Sequence, residues 1–214
     1  MVQEVIYWIG TRVLQAIIQP LFRLRVQGDP HIPQGEGCLL VAHHRSYWDI
    51  PLLIAALGPH RRIYFVARRT LDRHWLLRPL IRRFAIPIDR EHFRVEDYRR
   101  ILEALQAKRI VGIFPEGTTR RIGRIHSGVI RFAQRIKRPI TPVKIAAEGP
   151  YPPRYPFGFP RVEVRIGRTF QLQDLESELD GTESRLERYA KLSRALMERI
   201  DRIGSAAEPS SLAA

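Results

Sequence analysis

Short apolar runs that end in polar turns alternate along this chain with segments that favour helices. Apolar runs of this length predict buried strands, and we expect them at residues 38–42, 63–67, 86–88, 110–114 and 140–145. Between them we expect helices at residues 52–57, 75–84, 95–108 and 129–136. Strands that alternate with helices are typical of an α/β sandwich with a mostly parallel central sheet, and this is the predicted fold class.

Weaker patterns lie at the two ends of this alternation. Residues 24–28 and 161–166 alternate polar and apolar side chains and predict two further strands. Residues 186–200 carry apolar side chains on one face and predict a final amphipathic helix. Residues 151–160 hold four prolines and four aromatic residues. This segment either packs on the core as a loop or dips into a membrane, since aromatic rings favour the bilayer interface.

Residues 2–22 are largely apolar and predict one amphipathic helix with a narrow polar stripe. The stripe is formed by Glu4, Thr11, Arg12, Gln15 and Gln19. Glu4 and Arg12 interrupt the apolar run, so no uncharged stretch reaches the roughly 20 residues that span a bilayer. The wide apolar face therefore packs either on the domain core or in the lipid headgroup layer, and Pro20 should end or kink the helix.

The chain divides into three predicted segments. The amphipathic helix occupies residues 1–24, a single α/β domain follows at residues 25–203, and a small polar tail at residues 204–214 is expected to be disordered. A chain of 214 residues suffices for one well-buried core. Its single cysteine, Cys38, excludes an intramolecular disulfide and a thiolate metal cluster, and the apolar residues around it predict a buried side chain.

The chain is strongly basic, with 36 Lys and Arg residues against 22 Asp and Glu residues and a formal net charge of +14. Such a balance predicts an anionic partner: nucleic acid, an anionic membrane, or a phosphorylated or acidic substrate. Most of these cations are arginines, whose guanidinium binds phosphate in a bidentate fork. Charge alone does not choose among these partners.

A histidine and an aspartate follow the first long apolar strand. His44 and Asp49 are separated by four residues at the point where the strand gives way to a helix, and α/β proteins present reactive side chains at such points. A histidine takes a proton near neutral pH, and a nearby carboxylate fixes its tautomer. His43 competes for this role, but the spacing to Asp49 favours His44. In the alternative, His44 is a core or capping histidine and Asp49 only stabilises the helix N-terminus.

A second polar turn, Phe-Pro-Glu-Gly-Thr-Thr-Arg at residues 114–120, follows a later strand in the same way. Together with the His-x4-Asp motif, this turn resembles the glycerolipid acyltransferases, the superfamily of the 1-acylglycerol-3-phosphate acyltransferases. Residues 86–90 resemble the second block of that family, which ends in arginine, and residues 139–143 resemble its fourth, proline-flanked block. The four blocks occur in the family's order and cover residues 38–145, about half of the chain.

The resemblance implies an O-acyltransferase of phospholipid synthesis. Such an enzyme moves a fatty acyl group from an acyl thioester to the sn-2 hydroxyl of 1-acylglycerol 3-phosphate and gives phosphatidate. The implied partners are lysophosphatidate or a related lysolipid, acyl-CoA or acyl carrier protein as co-substrate, and an anionic membrane surface. No cofactor, metal or nucleic acid is expected. The implied location is peripheral or monotopic on the cytoplasmic face of the membrane, and residues 25–203 then form the acyltransferase domain.

The resemblance also assigns roles to single residues. His44 becomes the general base and Asp49 orients its ring, so that the acceptor hydroxyl takes the place of a catalytic serine. The implied substrate-binding residues are Arg90, Glu116, Gly117, Thr118 and Arg120. Both arginines would bind the acceptor phosphate, and the glutamate would orient an arginine or backbone donors. The tetrahedral oxyanion also needs donors, for which backbone amides of the Glu-Gly turn or a nearby cation are candidates.

The match departs from the family at several positions, and two alternatives stay open. His43 stands where the family usually has Asn or Ser, Thr119 where it often has Arg, and Phe84 where the second block usually has Gly. The first alternative is the same chemistry on another lysolipid acceptor. The second is a non-catalytic basic module on a membrane or nucleic acid, which predicts salt-sensitive DNA binding that survives removal of His44.

Overall fold

The computed structural model describes residues 2–28, 32–33, 35–69, 85–89, 92–117, 125–154, 156, 158–177, 179 and 183–205. Its strands are β1 (Arg25–Gln27), β2 (Cys38–Ala42), β3 (Ile63–Arg68), β4 (Ala85–Ile88), β5 (Ile110–Ile113), β6 (Ile140–Glu148) and β7 (Arg161–Ile166). Its helices are α1 (Val2–Phe22), α2 (Asp49–Leu57), α3 (Val95–Gln106), α4 (Gly128–Ile136), α5 (Leu172–Glu176) and α6 (Arg185–Arg202).

The seven described strands form one sheet in the order β1-β7-β6-β2-β5-β3-β4. All neighbouring strands are parallel except β6 and β7, which run antiparallel. The predicted α/β fold with a mostly parallel sheet is therefore confirmed. At the centre, Gly112 of β5 lies against the ring of Phe65, and a Cβ atom there would approach Phe65 Cδ1 to 2.5 Å. This close approach explains a glycine inside a buried strand.

Helices cover both faces of the sheet, and this explains the apolar runs. Helices α1 and α2 pack with one core cluster, while α3, α4, α5 and α6 pack with a second cluster on the other face. All five residues of β2 are buried as a result. Cys38 at its start is fully buried, and burial raises the pKa of its thiol to about 11.

Helix α1 places its polar stripe partly against the protein and leaves much of its apolar surface outside. Thr11 is buried, and the amide of Gln15 donates a hydrogen bond of 2.8 Å to the carbonyl of Ala55 in α2. Six large apolar side chains remain 42–55% exposed: Val5, Ile6, Trp8, Ile9, Val13 and Ile17. By length and composition alone, Glu4–Phe22 could cross a membrane. Its other face, however, packs Ile18 and Phe22 into the core.

The structure differs from the predicted elements at a few points. Helix α1 contains Pro20 and ends two residues later, at Phe22. Strand β6 continues to Glu148 because its last residues pair with β7. The five-residue helix α5 escaped prediction because so short a segment shows no helical period. The predicted helix at residues 75–84 lies outside the described residues, as does the tail beyond Ser205.

Candidate active site

Two polar turns meet at the carboxyl edge of the central strands. Strands β2 and β5 are parallel neighbours, with Val41 paired to Ile113. The residues that follow these strands therefore emerge side by side, which brings His44 and Glu116 together although 72 positions separate them. Arg90, Thr118 and Arg120 lie outside the described residues, so their predicted roles stay predictions.

The carboxylate of Asp49 holds the ring of His44. Nδ1 of His44 lies 3.0 Å from Oδ2 of Asp49, and the backbone N–H groups of Arg45 and Ser46 donate to the same oxygen at 2.8 and 2.9 Å. Asp49 is 1% exposed. Because a carboxylate only accepts hydrogen bonds, this contact favours the tautomer with the proton on Nδ1, which in a neutral imidazole leaves the lone pair on Nε2. Such a ring is set up to accept a proton at Nε2.

Tyr151 completes the surroundings of this carboxylate. Its hydroxyl donates a hydrogen bond to Oδ1 of Asp49. Burial, followed by the charge of Asp49, raises the pKa of Tyr151 far above its usual value, so the phenol stays protonated and donates. Tyr151 begins the aromatic segment 151–160, whose Phe159 packs at 5.3 Å from the ring of Phe22. Tyr151 and Phe159 of this segment thus pack on the core.

Glu116 fixes the backbone at the same turn. Its Oε2 accepts the N–H of His44 at 2.7 Å, and its Oε1 lies 2.6 Å from Nδ1 of His43. Burial raises the pKa of Glu116, but hydrogen bonds from His43 and from the His44 backbone outweigh it, so the net shift is downward. Glu116, 3% exposed, thus holds the backbone N–H of His44, and its role in substrate binding stays a prediction.

The two adjacent histidines differ in what their ring nitrogens contact. Nε2 of His43 lies 3.1 Å from Oδ1 of Asp201, so both nitrogens of His43 face carboxylates. The ring of His44 stacks on Phe114, with centroids 4.3 Å apart, and its Nε2 has no hydrogen-bond partner within the described ranges. Of the two rings, that of His43 therefore has both nitrogens next to carboxylates, whereas that of His44 has only Nδ1 next to one.

The turn after β5 depends on Gly117. Its φ is +68°, in the region that glycine adopts without strain. Its N–H donates to the carbonyl of Phe114 at 3.0 Å. The amide of Gly117 itself is therefore engaged in the turn. An oxyanion must find other donors, such as a neighbouring amide or a cation.

Two groups outside the predicted set also shape this edge. Arg45 is exposed on the same turn, between His44 and Ser46, and its positive charge adds to the hydrogen bonds from His43 and the His44 backbone in lowering the pKa of Glu116. Asp97, fully buried, binds Arg69 at 2.8 Å and accepts the backbone N–H of Asp89 at 3.3 Å. Asp97 thereby anchors the chain next to position 90. The sequence offered no signal for either contact, since each depends on tertiary packing.

A cavity of about 460 Å³ lies beside Glu116 and Gly117, between the sheet, α3 and α4. Most of its walls are apolar: Val66, Ile88, Phe93, Tyr98, Ile113 and Phe132. The polar side chains that line it include Glu116, His126 and Arg131. A hydrocarbon chain with a polar end fits such a cavity. No group of three metal-ligating side chains occurs in the part of the chain that the structure describes.

The low pKa of Glu116 predicts an effect on acid stability. A carboxyl with a lowered folded-state pKa stabilises the fold above its ordinary value near 4.5, and this contribution is lost as the pH falls through the folded-state pKa. We therefore expect the free energy of unfolding of the Glu116→Gln variant to fall less than that of the parent as the pH drops from about 5 through the folded-state pKa of Glu116. Urea midpoints measured across that range test this. In the control Glu103→Gln, at an exposed site, the urea midpoint should fall with pH as steeply as in the parent. An equally steep fall in Glu116→Gln would contradict a lowered pKa for Glu116.

Comparison with known proteins gives four findings. A model of the family described as Acyltransferase matches residues 23–146. A 1-acyl-sn-glycerol-3-phosphate acyltransferase of Bacillus subtilis (strain 168) is 25% identical over 195 residues, which cover 91% of this chain and 94% of that protein. An identically named protein of Streptococcus pneumoniae (strain ATCC BAA-255 / R6) is 28% identical over 67% of this chain and 53% of its own. The crystal structure of the 1-acyl-sn-glycerophosphate (LPA) acyltransferase PlsC from Thermotoga maritima has a similar fold, with a TM-score of 0.63 and 21% identity over 90% of this chain and 78% of that chain.

Proposed function

The chain belongs to the Acyltransferase family, and we propose that it moves a fatty acyl group from an acyl thioester to the sn-2 hydroxyl of 1-acylglycerol 3-phosphate, giving phosphatidate. The family match and the named relatives confirm the resemblance to the glycerolipid acyltransferases, and the protein is an O-acyltransferase of phospholipid synthesis. The single observation that carries the proposed mechanism is the hydrogen bond between His44 and Asp49 at the carboxyl edge of the sheet.

The proposed reaction transfers the acyl group directly from the thioester to the acceptor, through one tetrahedral intermediate. Nε2 of His44 takes the proton of the acceptor hydroxyl while the hydroxyl oxygen attacks the thioester carbon. The intermediate then expels the thiolate, and the imidazolium returns its proton to the leaving sulfur. The C–S bond is replaced by a C–O bond, so the products are phosphatidate and a free thiol. The acceptor oxygen is the nucleophile, and the enzyme forms no acyl intermediate.

The surroundings of His44 support this role. The buried charge of Asp49 stabilises the imidazolium that forms when the hydroxyl gives up its proton. Its three further donors, two backbone N–H groups and the hydroxyl of Tyr151, hold the carboxylate in place. Glu116 holds the N–H of His44 from the other side. The ring is thus preorganised, which lowers the cost of reaching the reactive geometry.

Substrate binding follows from charge and shape. The guanidinium of Arg45, exposed at the edge of the site, is suited to the acceptor phosphate or to the oxyanion. We also propose Arg90 and Arg120 for the phosphate, by their resemblance to the family's arginines. The apolar cavity beside Glu116 suits one fatty acyl chain. The donor is acyl-CoA or acyl carrier protein, both of which are anionic and match the net charge of +14.

Thiol release with a panel of acceptors tests this function. Palmitoyl-CoA and palmitoyl-acyl carrier protein would each be offered with lysophosphatidate and with other lysophospholipids. Fastest release with lysophosphatidate, together with phosphatidate as product, is the expected result. Preference for another lysolipid would move the proposal to that acceptor. Absence of thiol release with every pair, from a folded protein, would overturn it.

Removal of the Tyr151 hydroxyl should lower activity moderately. The Tyr151→Phe variant keeps the ring but loses one hydrogen bond to the Asp49 carboxylate. A hydrogen bond to a charged group contributes roughly 1.5–3 kcal/mol, so we expect kcat/KM to fall by about tenfold to a hundredfold. Steady-state thiol release measures this. Tyr47→Phe, which changes a tyrosine that is 77% exposed, is the matched control. Full activity in Tyr151→Phe would show that this hydroxyl has no positioning role.

The exposed face of α1 should bind the membrane surface on which such lipids lie. Ile9 and Val13, one helical turn apart, are 52% and 55% exposed. Replacing both by Gln should weaken binding to phospholipid vesicles by about tenfold or more, because each large apolar side chain contributes roughly 1.5–3 kcal/mol when buried. Vesicle flotation measures this. Leu186→Gln, at a 76% exposed site on α6, should bind like the parent. Unchanged flotation of the double variant would exclude α1 as the contact.

A further inference from the structure

A basic cavity of about 760 Å³ lies at the amino edge of the sheet, at the opposite ends of the strands from His44. The segments that precede β2, β3 and β5 contribute to its walls. Among the described residues that line it, the cationic or titratable basic ones are His60, Arg61, Arg62, Lys108 and Arg109, and the acidic one is Glu4. Since the five residues of β2 span roughly 16 Å, this cavity is separate from the site at the carboxyl edge.

Aromatic rings hold two of these cations in place. The guanidinium of Arg62 lies 4.7 Å from the centroid of the Tyr64 ring, and that of Arg109 lies 4.6 Å from the same centroid. Arg62 also lies 5.6 Å from the ring of Tyr7. Contacts of this kind stabilise a guanidinium without using its N–H donors. Both guanidinium groups therefore lie against one ring in the wall of the cavity.

The backbone around the cavity is tightly packed. A Cβ atom on Gly37 would lie 2.7 Å from Cα of Lys108. The segment before β2 thus lies directly against the turn that carries Lys108 and Arg109. Lys108 itself has a φ of +56°, in the left-handed region. These contacts constrain the backbone of the turn that carries the two exposed cations.

The first part of α1 forms another wall of the cavity. Glu4, Tyr7 and Trp8 line the cavity, and Trp8 is at the same time one of the exposed apolar residues of the helix. The basic cavity and the apolar face of α1 therefore adjoin at Trp8. A ligand that fits both has an anionic head and a hydrocarbon body, and tryptophan favours the boundary between the two.

We propose that this cavity binds the phosphate headgroup of an anionic phospholipid whose acyl chains lie along the exposed face of α1. The site goes beyond the proposed reaction and rests only on the proposed membrane association. Bound there, one lipid fixes the depth and orientation of α1 at the bilayer. The lipid is an anchor and not a substrate.

Geometry separates this lipid from the acyl acceptor. In lysophosphatidate the sn-2 hydroxyl and the phosphate sit on adjacent carbons of glycerol, so a phosphate at the amino edge would keep the hydroxyl far from His44. The cavity therefore cannot serve the acceptor. A free nucleotide matches the cations but has no hydrocarbon body for the apolar face beside Trp8, and we regard it as the competing occupant.

Vesicle flotation at physiological ionic strength tests the proposal with two variants of equal charge. Lys108→Gln/Arg109→Gln removes two rim cations, and Arg99→Gln/Arg194→Gln removes two exposed cations from α3 and α6. Each variant would be compared with the parent on phosphatidylcholine vesicles with and without phosphatidylglycerol. Circular dichroism melting curves establish that all three proteins are folded.

The rim variant should bind the anionic vesicles about tenfold or more weakly than the parent, given roughly 1 kcal/mol for each cation at an anionic surface. The control variant should stay within about twofold of the parent, and binding to neutral vesicles should be equal in all three. Equal weakening by both variants would reveal only general charge attraction and would overturn the site. So would parent-like binding of the rim variant, or displacement of the parent from the vesicles by free CoA. Thiol release by the parent, assayed separately, tests the reaction, so either proposal can fail alone.

Discussion

The His44→Ala variant is expected to lose thiol release from palmitoyl-CoA by about 10²–10⁴-fold in kcat. An alcohol attacks a thioester slowly until its proton is removed, and alanine leaves no group at Nε2 to remove it. His44 is 8% exposed and stacks on Phe114, so folded content must be matched by circular dichroism before rates are compared.

The neighbouring histidine provides the control for this prediction. His43 binds Glu116 and Asp201 through its two nitrogens, and we assign it a positioning role. His43→Asn keeps a donor toward Glu116 and should cost about tenfold or less, as expected for one hydrogen bond at the edge of the site. If the His43→Asn variant were inactive while the His44→Ala variant kept its activity, His43 and not His44 would be the base.

The Asp49→Asn variant should lose activity by about 10³–10⁴-fold, as in triads where the orienting carboxylate becomes an amide. Asparagine can still accept the N–H groups of Arg45 and Ser46, so the loop keeps its main contacts. It has no charge, however, to stabilise the imidazolium of His44. If the amide rotates, its NH₂ group faces Nδ1 and selects the wrong tautomer. Both effects act on the chemical step, so kcat should fall with little change in KM.

An exposed carboxylate gives the control for this second prediction. Asp201, whose side chain is 58% exposed, contacts His43 at 3.1 Å. Asp201→Asn also removes one negative charge, but from the carboxylate next to His43. It should change kcat by less than about tenfold, since exposed ion pairs contribute roughly 0–1 kcal/mol. If Asp49→Asn kept more than about a tenth of the parent's activity, Asp49 would not be the orienting group.

The central strands and the two site turns could be predicted because they depend on local pattern and strand order. Strand β2 is buried on both faces and therefore reads as an unbroken apolar run. His44 and Glu116 each follow such a run, and parallel pairing of β2 and β5 then brings them together. Neither inference needs knowledge of a side-chain contact.

Tyr151 could not be predicted, because its role depends on the folded chain. It meets Asp49 across 102 positions, through a loop whose path no local pattern specifies. The surplus of aromatic residues at 151–160 was the available signal, and it left open whether the segment packs on the core or dips into a membrane. The contacts of Asp97 with Arg69 and the Asp89 backbone escaped prediction for the same reason.

Helix α1 shows how tertiary contacts can override a helical-wheel interpretation. A polar stripe ordinarily faces water, yet Thr11 is buried and Gln15 caps the carbonyl of Ala55 at the end of α2. Because these polar groups are satisfied against the protein, part of the apolar surface is left outside. At its other end the helix reaches the site, where Phe22 contacts the ring of Trp48 at 5.1 Å, next to Asp49. One helix thus extends from the basic cavity to the turn that carries Asp49.

The most direct test of acyl transfer without an acylated enzyme is thiol release from palmitoyl-CoA by the parent, with and without lysophosphatidate. The mechanism predicts release that requires the acceptor, equimolar phosphatidate carrying the palmitoyl group at sn-2, and no acylated protein detectable by mass spectrometry. Stoichiometric thiol release without acceptor, together with a protein mass increased by one palmitoyl group, would contradict it.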